Sequence, residues 1–396
     1  MKLEELQAAL RQQGIDAWLF CDVDHRDPIA YRVLGLPADQ LVSRRWYYLV
    51  PADGEPRKLV HQIEAGQLDA LPGEAVQYAG WRELLQRLEQ MLAPVRTVAM
   101  QYSPCNQLPA VSLVDAGTVE LVRGLGKQVV SSAELVQRFE ARWSPVALGM
   151  HLEAGRLIDG IMASAFQEIG NRVWREGQTD DYAVQQFILE RFRECHLITD
   201  MGPIVAVGRN SGNPHYLPER GRSAPIRRGD FVLLDVWGKL NRPGAVYYDV
   251  TWTGFVGDRA PEAVQRIFEI VRTARDCAFD TVQWAVAQGR ALRGWEVDRA
   301  ARGVIERSGY GDRFVHRTGH SIGEAVHGNG ANMDDLETHD EREIIPHTGF
   351  SIEPGIYLPE FGVRSEINVF VGEQEARITG AVQTDIALIP VEATLG

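Results

Sequence analysis

The sequence has no run of about 18 consecutive apolar residues, the length that a membrane-spanning helix requires, so we expect no transmembrane segment. Cysteine is also scarce. The chain contains no CxxC pair, and its four cysteines are widely separated: Cys21, Cys105, Cys195 and Cys277. Such scattered cysteines favour a reduced, cytoplasmic protein in which the thiols serve only in packing.

Basic residues are fewer than acidic ones, with 41 Lys and Arg against 54 Asp and Glu and a formal net charge of -13. Because phosphate contacts need clustered Lys and Arg, this balance argues against a nucleic-acid partner. The excess acidity is typical of a solvated surface. The first 20 residues are not expected to form a signal peptide, because charges separate their apolar residues as on an amphipathic helix.

The length of 396 residues, with 45% hydrophobic and 24% charged residues, indicates a globular protein of two domains. Residues 1–140 alternate between helical and extended patterns, which predicts a small α/β domain. Helices are predicted at 2–13 and 81–91. Strands are predicted at 17–21, 46–50, 97–101 and 118–121, and in the segment LVHQI that follows the turn PADGEPRK.

A second, larger domain is predicted over residues 145–396. Residues 132–170 follow helical spacing and are interrupted by Pro145, which marks a boundary. Short apolar strands then follow, which makes the overall class α+β. We predict these strands at 204–207, 231–235, 250–255, 350–353 and 367–371.

Five residues of this second domain stand in distinctive local contexts. Their contexts are LLDVWG, YYDVTWTG, HRTGHSIG, SIEPG and VRSEINV, and the residues are Asp235, Asp249, His320, Glu353 and Glu366. Four carboxylates and one imidazole carry too much negative charge to gather without cations. Oxygen ligands with one nitrogen suit Mn²⁺, Zn²⁺, Co²⁺ or Fe²⁺, and the implied chemistry is hydrolysis by metal-bound hydroxide.

The strand pattern allows the four carboxylates to converge. Asp235 ends the apolar run FVLLD and Asp249 opens the next run, so a hairpin would bring the two together. Glu353 ends one strand and Glu366 precedes another, again as in a hairpin. Each residue alone could be an ordinary turn aspartate or edge glutamate. All of them together favour a metal site.

Three histidines, His316, His320 and His327, lie within twelve residues in HRTGHSIGEAVH. Their spacing would place them on one side of a helix, but Gly319 and Gly323 argue against a regular helix. A loop or strand edge with close backbone approach is therefore expected. A single histidine is more often structural, whereas three beside glycines favour a functional site.

With these motifs the sequence resembles the pita-bread metallopeptidases, the family of methionine aminopeptidase, aminopeptidase P and prolidase. The resemblance spans about residues 145–390 and is strongest in TGHSIG, SIEPGIY and GVRSE. Residues 1–140 resemble the N-terminal domain of aminopeptidase P, prolidase and creatinase. The implied fold is this small creatinase-like α/β domain followed by a pita-bread catalytic domain.

The resemblance implies a role for each of the five residues. Asp235 would bind one metal, Asp249 and Glu366 would bridge two, and His320 and Glu353 would bind the other. Two divalent ions per chain are implied, with manganese first and cobalt or zinc as alternatives. A hydroxide between them would be the nucleophile, and Glu353 would carry its proton to the leaving nitrogen.

Further residues match family positions around the substrate. His215, in GRNSGNPHY, and His327 would stabilise the oxyanion, while His316 would line the substrate pocket. Arg364 matches an arginine that orients the carboxylates, and we group it with the substrate-binding residues. An arginine that many dipeptidases place after His327 for the substrate carboxylate is missing, which leaves Arg342 as a substitute.

The family implies hydrolysis of the bond before proline in small peptides, by a chain that often forms homodimers. The short connection from Glu353 to Glu366 favours a prolidase-like Xaa-Pro dipeptidase over an Xaa-Pro aminopeptidase acting on longer peptides. Two alternatives remain open on the same scaffold: a hydrolase of another amide, amidine or phosphoester, and a non-catalytic binding protein. Trp252 and Ser365 depart from the residues that the family usually has at these positions.

Overall fold

The structure is a computed structural model that describes residues 2–391. The chain divides into two compact units, of which the first ends at Glu140 and the second begins at Ala141. Within the described residues, none of the helices combines the length and the apolar character that a bilayer crossing needs.

The first unit alternates helices and strands, as its sequence pattern predicts. Its elements are α1 (Leu3–Gln13), β1 (Ala17–Asp22), α2 (Pro28–Leu34), β2 (Trp46–Pro51), β3 (Arg57–His61), β4 (Glu74–Tyr78), α3 (Trp81–Leu92), β5 (Thr97–Met100), α4 (Ala116–Gly124), β6 (Gln128–Ser131) and α5 (Ala133–Glu140).

The six strands of this unit form one mixed sheet in the order β4-β3-β2-β1-β5-β6. Successive side chains of a strand point to opposite faces, and β1 shows this clearly. Trp18 and Phe20 pack with α1, α2 and α5, whereas Ala17 and Leu19 pack with α3 and α4. Helices therefore cover both faces of the sheet.

One element of this unit is predicted wrongly. Residues 118–121, predicted as a strand from the β-branched pair Thr118 and Val119, lie in helix α4. The side chain of Asp115 accepts a hydrogen bond from the Thr118 N–H, so it caps the first turn of the helix. This cap and the packing of the helix against the sheet outweigh the local strand preference.

The second unit contains four helices and several short sheets among its described residues. Its elements are α6 (Pro145–Glu176), β7 (Thr179–Asp180), α7 (Asp181–Glu194), β8 (Leu197–Ile198), β9 (Ile204–Val207), β10 (Pro225–Ile226), β11 (Phe231–Leu240), β12 (Tyr248–Val256), α8 (Glu262–Ala287), α9 (Gly294–Arg307), β13 (Ser321–Ile322), β14 (Thr348–Ile352), β15 (Gly355–Tyr357), β16 (Gly362–Arg364), β17 (Ile367–Val371), β18 (Ala376–Ile378) and β19 (Ala387–Ile389).

Pro145 begins the long helix α6 rather than breaking one. Its fixed φ suits the first helical position, where its missing N–H would have no partner in any case. The Ser144 side chain accepts a hydrogen bond from the Ala147 N–H and caps the same turn. The residues between α5 and α6 therefore end one helix and start another.

Two sheets shape the second unit. One has the order β19-β12-β11-β8, with β9 also pairing to β11, and the other has the order β13-β14-β17-β18. Helices α6 and α7 pack on one face of the first sheet. On its other face, residues of β11 share a core with α8, α9, β14 and β17. The face that shares this core is therefore the one that packs against the sheet of β14 and β17.

Strand β11 is longer than the sequence predicts. The prediction that Asp235 ends a strand is wrong, because β11 continues to Leu240 and pairs with β12 over most of its length. The other strands predicted in this unit are confirmed within two residues at each end. Asp235 is therefore presented from the middle of a sheet, on rigid backbone.

Candidate metal centre

Two aspartates lie on the face of the first sheet that also carries apolar core residues. On β11, Leu233 and Trp237 belong to the core shared with α8, and Asp235 lies between them on the same face. Asp235 pairs with Thr251, whereas Asp249 pairs with Trp237. The two aspartates are therefore diagonal neighbours on adjacent strands, within reach of each other on one face.

The two glutamates come from the second sheet. Ile352 of β14 pairs with Ile367 of β17, so Glu353 and Glu366 flank the end of this strand pair. The backbone N–H of Glu366 also donates to the carbonyl of Thr251 at 3.3 Å. This bond joins the two sheets beside the cleft that the four carboxylates line.

A close backbone contact places His320. Its backbone N–H donates to the Ser351 hydroxyl at 3.0 Å, and its carbonyl accepts from the Ser351 N–H at 2.9 Å. A Cβ on Gly319 would lie 1.9 Å from the Ser351 carbonyl oxygen, so only glycine fits before the histidine. The expectation of close backbone approach without a regular helix is confirmed.

The hydrogen bonds of His320 determine which ring nitrogen faces the carboxylates. Nδ1 lies 3.2 Å from the Ser321 carbonyl, which can only accept, so Nδ1 carries the proton. Burial lowers the pKa of His320, which favours the neutral ring. The unprotonated Nε2 of that ring lies 3.4 Å from Asp249 Oδ2 and 3.4 Å from Glu353 Oε1. All three of these atoms accept hydrogen bonds, so a cation between them would satisfy them.

Three of the four candidate carboxylates also lack enough nearby positive charge to favour their ionised form. Burial raises the pKa of Asp235 to about 7, and it raises the pKa of Asp249 and of Glu366 well above the ordinary values. Among residues 2–391, Glu366 Oε1 is one of the few buried polar atoms without a hydrogen-bond partner. Ligand atoms of Asp249, His320 and Glu366 all lie within 4.8 Å of one another. This donor set fits a divalent metal ion.

Arg364 supports the candidate ligand carboxylates through hydrogen bonds. Its Nη2 donates to Asp235 Oδ2, its Nε donates to Thr251 Oγ1 at 2.9 Å, and its Nη1 donates to the Tyr357 hydroxyl at 3.1 Å. Thr251 in turn donates to Glu366 Oε2 at 2.8 Å. All three of these acceptors are protein groups, so the observed hydrogen bonds of Arg364 orient the carboxylates.

His316 continues the same network. Its Nδ1 donates to the Arg317 carbonyl at 2.7 Å, which leaves Nε2 to accept from the Tyr357 hydroxyl at 2.6 Å. Burial lowers the pKa of His316 to about 4, so the ring stays neutral. Both nitrogens are occupied, and His316 therefore offers the cleft only the surface of its ring.

One cleft of about 720 Å³ contains the five candidate ligands and the three other candidate histidines, His215, His316 and His327, in its lining. The His327 ring meets the His320 ring edge to face at a centroid distance of 4.4 Å, and the neighbouring imidazole lowers the pKa of His327 to about 4. His215 is exposed, and its backbone N–H donates to Asn213 Oδ1 at 3.1 Å.

The structure corrects the expectation for Arg342. Its side chain is buried, and its guanidinium binds Asp340 through Nε at 2.9 Å and Nη2 at 2.6 Å. The remaining Nη1 donates to the Asn329 carbonyl at 3.0 Å. Arg342 is not among the residues that line the cleft. A guanidinium paired in this way holds a loop and cannot receive a substrate carboxylate.

The sequence analysis did not predict two residues that hold the candidate ligands in place. Asn368 Oδ1 accepts from the Asp249 N–H at 3.0 Å, and its Nδ2 donates to the Asp249 carbonyl, so this amide fixes the backbone of a candidate ligand. Thr251 is the second. A polar residue two positions after Glu366, in the otherwise apolar strand INVFV, is the signal that could have indicated Asn368.

A family model described as metallopeptidase family M24 matches residues 150–373, more than half of the chain. The chain therefore belongs to metallopeptidase family M24. Membership of this family implies divalent metal ions, in agreement with the donor set of the cleft.

Relatives are similar over the same region. The Xaa-Pro dipeptidase of Lactobacillus delbrueckii subsp. lactis is 34% identical over 204 residues, which are 51% of this chain and 50% of the relative. The Xaa-Pro dipeptidase of Pyrococcus furiosus is 35% identical over 176 residues, 44% of this chain and 45% of the relative. The matched segments span 45% to 63% of the length of these and similar curated relatives.

A solved structure extends the likeness to nearly the whole chain. The crystal structure of dipeptidase PepE from Mycobacterium ulcerans aligns with a TM-score of 0.69 at 24% identity, covering 98% of this chain and 97% of that one. At this identity the likeness shows the fold alone. The predicted α+β class, with an N-terminal α/β domain before a pita-bread domain, is confirmed.

Proposed function

We propose that this protein hydrolyses the peptide bond preceding proline in short peptides, as a metal-dependent Xaa-Pro dipeptidase. The family and the names of the relatives support the reaction class. The observation that carries the proposal is the meeting of Asp249, His320 and Glu366 within 4.8 Å in one cleft, with a buried Glu366 oxygen that lacks a protein partner.

We assign the ligands as the family resemblance implies. Asp235 would hold one divalent ion, Asp249 and Glu366 would hold both, and His320 and Glu353 would hold the second. Manganese is the first expectation, with cobalt or zinc as alternatives, because all three accept carboxylate oxygens with one imidazole. The two compact units would correspond to a creatinase-like domain over residues 1–140 and a catalytic domain over 145–396.

Bound divalent ions would supply an activated water and polarise the scissile carbonyl. Glu353 lies beside His320 and on the same cleft, and its carboxylate would take a proton from the attacking water and return it to the leaving nitrogen. His215 and His327 would donate hydrogen bonds to the developing oxyanion. Arg364 would keep the aspartate and glutamate oxygens directed into the cleft.

The proposed site permits proline after the scissile bond, and the preference for proline rests on the family resemblance. The Xaa-Pro bond is a tertiary amide without an N–H, so an enzyme that must bind that hydrogen fails on it. The histidines proposed here would contact the carbonyl oxygen and would not require an N–H on the nitrogen. Residence in the cytoplasm and a homodimer belong to the same proposal, and cell fractionation and sedimentation analysis test them.

The deciding experiment measures the cleavage of three peptides by the purified full chain. The protein is assayed with added Mn²⁺, Co²⁺ or Zn²⁺ on an Xaa-Pro dipeptide, an Xaa-Pro-Yaa tripeptide and an Xaa-Ala dipeptide. Metal-dependent cleavage of the Xaa-Pro dipeptide above the other two supports the proposal. Cleavage of the tripeptide without the dipeptide would reassign the protein as an Xaa-Pro aminopeptidase. No cleavage of any Xaa-Pro peptide with any metal would refute it.

A further inference from the structure

Two arginines are among the described residues that line the cleft, and they differ in their contacts. Arg364 is buried, and its guanidinium is committed to Asp235, Thr251 and Tyr357. Arg317 is only partly buried. Its guanidinium makes no hydrogen bond and no ion pair with any residue in the range 2–391. Among the described residues of the cleft wall, Arg317 is thus the arginine whose guanidinium is free to bind a ligand.

The backbone that carries this arginine is held firmly. The Arg317 N–H donates to Glu337 Oε1 at 3.0 Å. Glu337 is itself fixed, since the buried Asp334 carboxylate accepts hydrogen bonds from the backbone N–H of Leu336, at 2.9 Å, and of Glu337, at 2.9 Å. The carboxylate that binds the Arg317 backbone is therefore presented by an ordered loop.

The neighbours of this arginine are fixed as well. The carbonyl of His316 accepts from Arg302 Nη2 at 2.8 Å. The backbone N–H of Thr318 donates to Asp298 Oδ1 at 2.9 Å, and Arg302 and Asp298 pair with each other on helix α9. Three consecutive backbone positions are thus anchored by side chains. A single uncommitted guanidinium projects from this rigid segment.

Arg317 lines the same cleft as the candidate metal ligands His320 and Glu353 and the candidate oxyanion donor His327. Its guanidinium is therefore placed to act on a molecule that binds in this cleft. An anionic group of that molecule would find no other free cationic side chain along the described cleft wall.

We propose that Arg317 binds the C-terminal carboxylate of the substrate and thereby selects Xaa-Pro dipeptides over longer peptides. This inference rests on the proposed function and extends it to substrate length. In a dipeptide the carboxylate stands one residue beyond the scissile bond, whereas in a longer peptide that position carries a neutral amide. The guanidinium forms charge-assisted, two-pronged hydrogen bonds with the former and only weaker ones with the latter.

The test uses the metal-loaded full chain and three substrates that differ at one end: Ala-Pro, Ala-Pro-amide and Ala-Pro-Ala. The variants are Arg317→Gln, which removes the charge, and Arg317→Lys, which keeps it without the forked geometry. Arg313→Gln is the matched control, because Arg313 is exposed and is not among the residues that line the cleft. Metal content per chain is measured for every variant.

For the wild type we expect kcat/KM on Ala-Pro to exceed that on Ala-Pro-amide by about 10- to 100-fold, the range for a hydrogen bond to a charged group. Arg317→Gln should abolish most of this preference by raising KM for Ala-Pro, with metal content unchanged. Arg317→Lys should retain part of it, and Arg313→Gln should match the wild type. Binding of free proline against prolinamide, measured by calorimetry, should lose the same discrimination in Arg317→Gln.

The outcomes separate the two proposals. If the wild type cleaves Ala-Pro and Ala-Pro-amide equally well, or if Arg317→Gln keeps the wild-type ratio, the role of Arg317 is refuted while the Xaa-Pro peptidase stands. If the metal-loaded wild type cleaves none of the three peptides, the proposed function is refuted and this inference falls with it.

Discussion

Replacing Thr251 by valine tests whether the hydrogen bonds of its hydroxyl position the candidate ligand carboxylates. Thr251 is completely buried, and its hydroxyl has two charged partners. It donates to Glu366 Oε2 at 2.8 Å and accepts from Arg364 Nε at 2.9 Å. Valine has nearly the same shape, so Thr251→Val removes both hydrogen bonds without opening a cavity.

The expected loss has two parts. A hydrogen bond to a charged group contributes about 1.5–3 kcal/mol, and the two bonds share one hydroxyl, so we expect a loss of roughly 2–4 kcal/mol in the free energy of unfolding without metal. Loss of a group that orients a metal ligand costs about 10- to 100-fold in metal affinity. Glu366 is the ligand that would lose its orientation here.

Calorimetric titration with Mn²⁺ measures the affinity, and urea unfolding with and without metal measures the stability. Thr253→Val is a matched control, because Thr253 is equally buried on the same strand and face, and its hydroxyl lies 3.4 Å from Gln383 Oε1 instead of touching a candidate ligand. Equal metal affinity in the two variants would show that Thr251 does not position Glu366.

Three further predictions concern single groups. Glu353→Gln should reduce turnover by at least about 10³-fold, measured as kcat with metal content determined in parallel, because it removes a ligand charge and the proton carrier. His215→Ala should lower kcat by about 10²–10³-fold with metal retained, and full activity would contradict its oxyanion role. Burial raises the pKa of Asp27 to about 7, so the folded chain keeps a proton that the unfolded chain releases. The contribution of Asp27 to stability should therefore fall as the pH rises from about 4 to 7. Urea unfolding should show this as a pH-dependent difference between the wild type and Asp27→Asn, and a constant difference across this range would contradict it.

The sequence predicted most elements because their signals are local. An apolar run such as residues 204–207 can only be buried, and it appears as the strand β9. Errors arose where a local signal was ambiguous. The β-branched pair at 118–119 resembled a strand, although Asp115 provided a helix cap three residues before Thr118. For Asp235, the run WGKL gave no sign that the strand continues to Leu240.

The partners within the site could not be predicted, because they are far apart in the chain. Arg364 binds Thr251 across 113 positions, and Asn368 binds Asp249 across 119. No periodicity or spacing encodes such pairs. The same limit explains why Arg342 was chosen as a carboxylate receptor: its pairing with Asp340 is a local contact, but only its burial shows that the pair is closed to a ligand. For Arg317, in the motif HRTGHSIG, the sequence does not show whether the guanidinium is paired, because that depends on which residues the fold brings to it.

The site joins two sheets that share a hydrophobic core but have no strand in common. The aspartates belong to the sheet of β11 and β12, and the glutamates belong to the sheet of β14 and β17. Hydrogen bonds between Thr251 and Glu366 and between Asp249 and Asn368 link the two sheets, whereas the neighbouring carboxylates would repel one another when ionised. A cation that bound only the folded arrangement would relieve this repulsion and stabilise the fold by mass action. The ligands that would serve the chemistry would thus also help to fix the relative position of the two sheets.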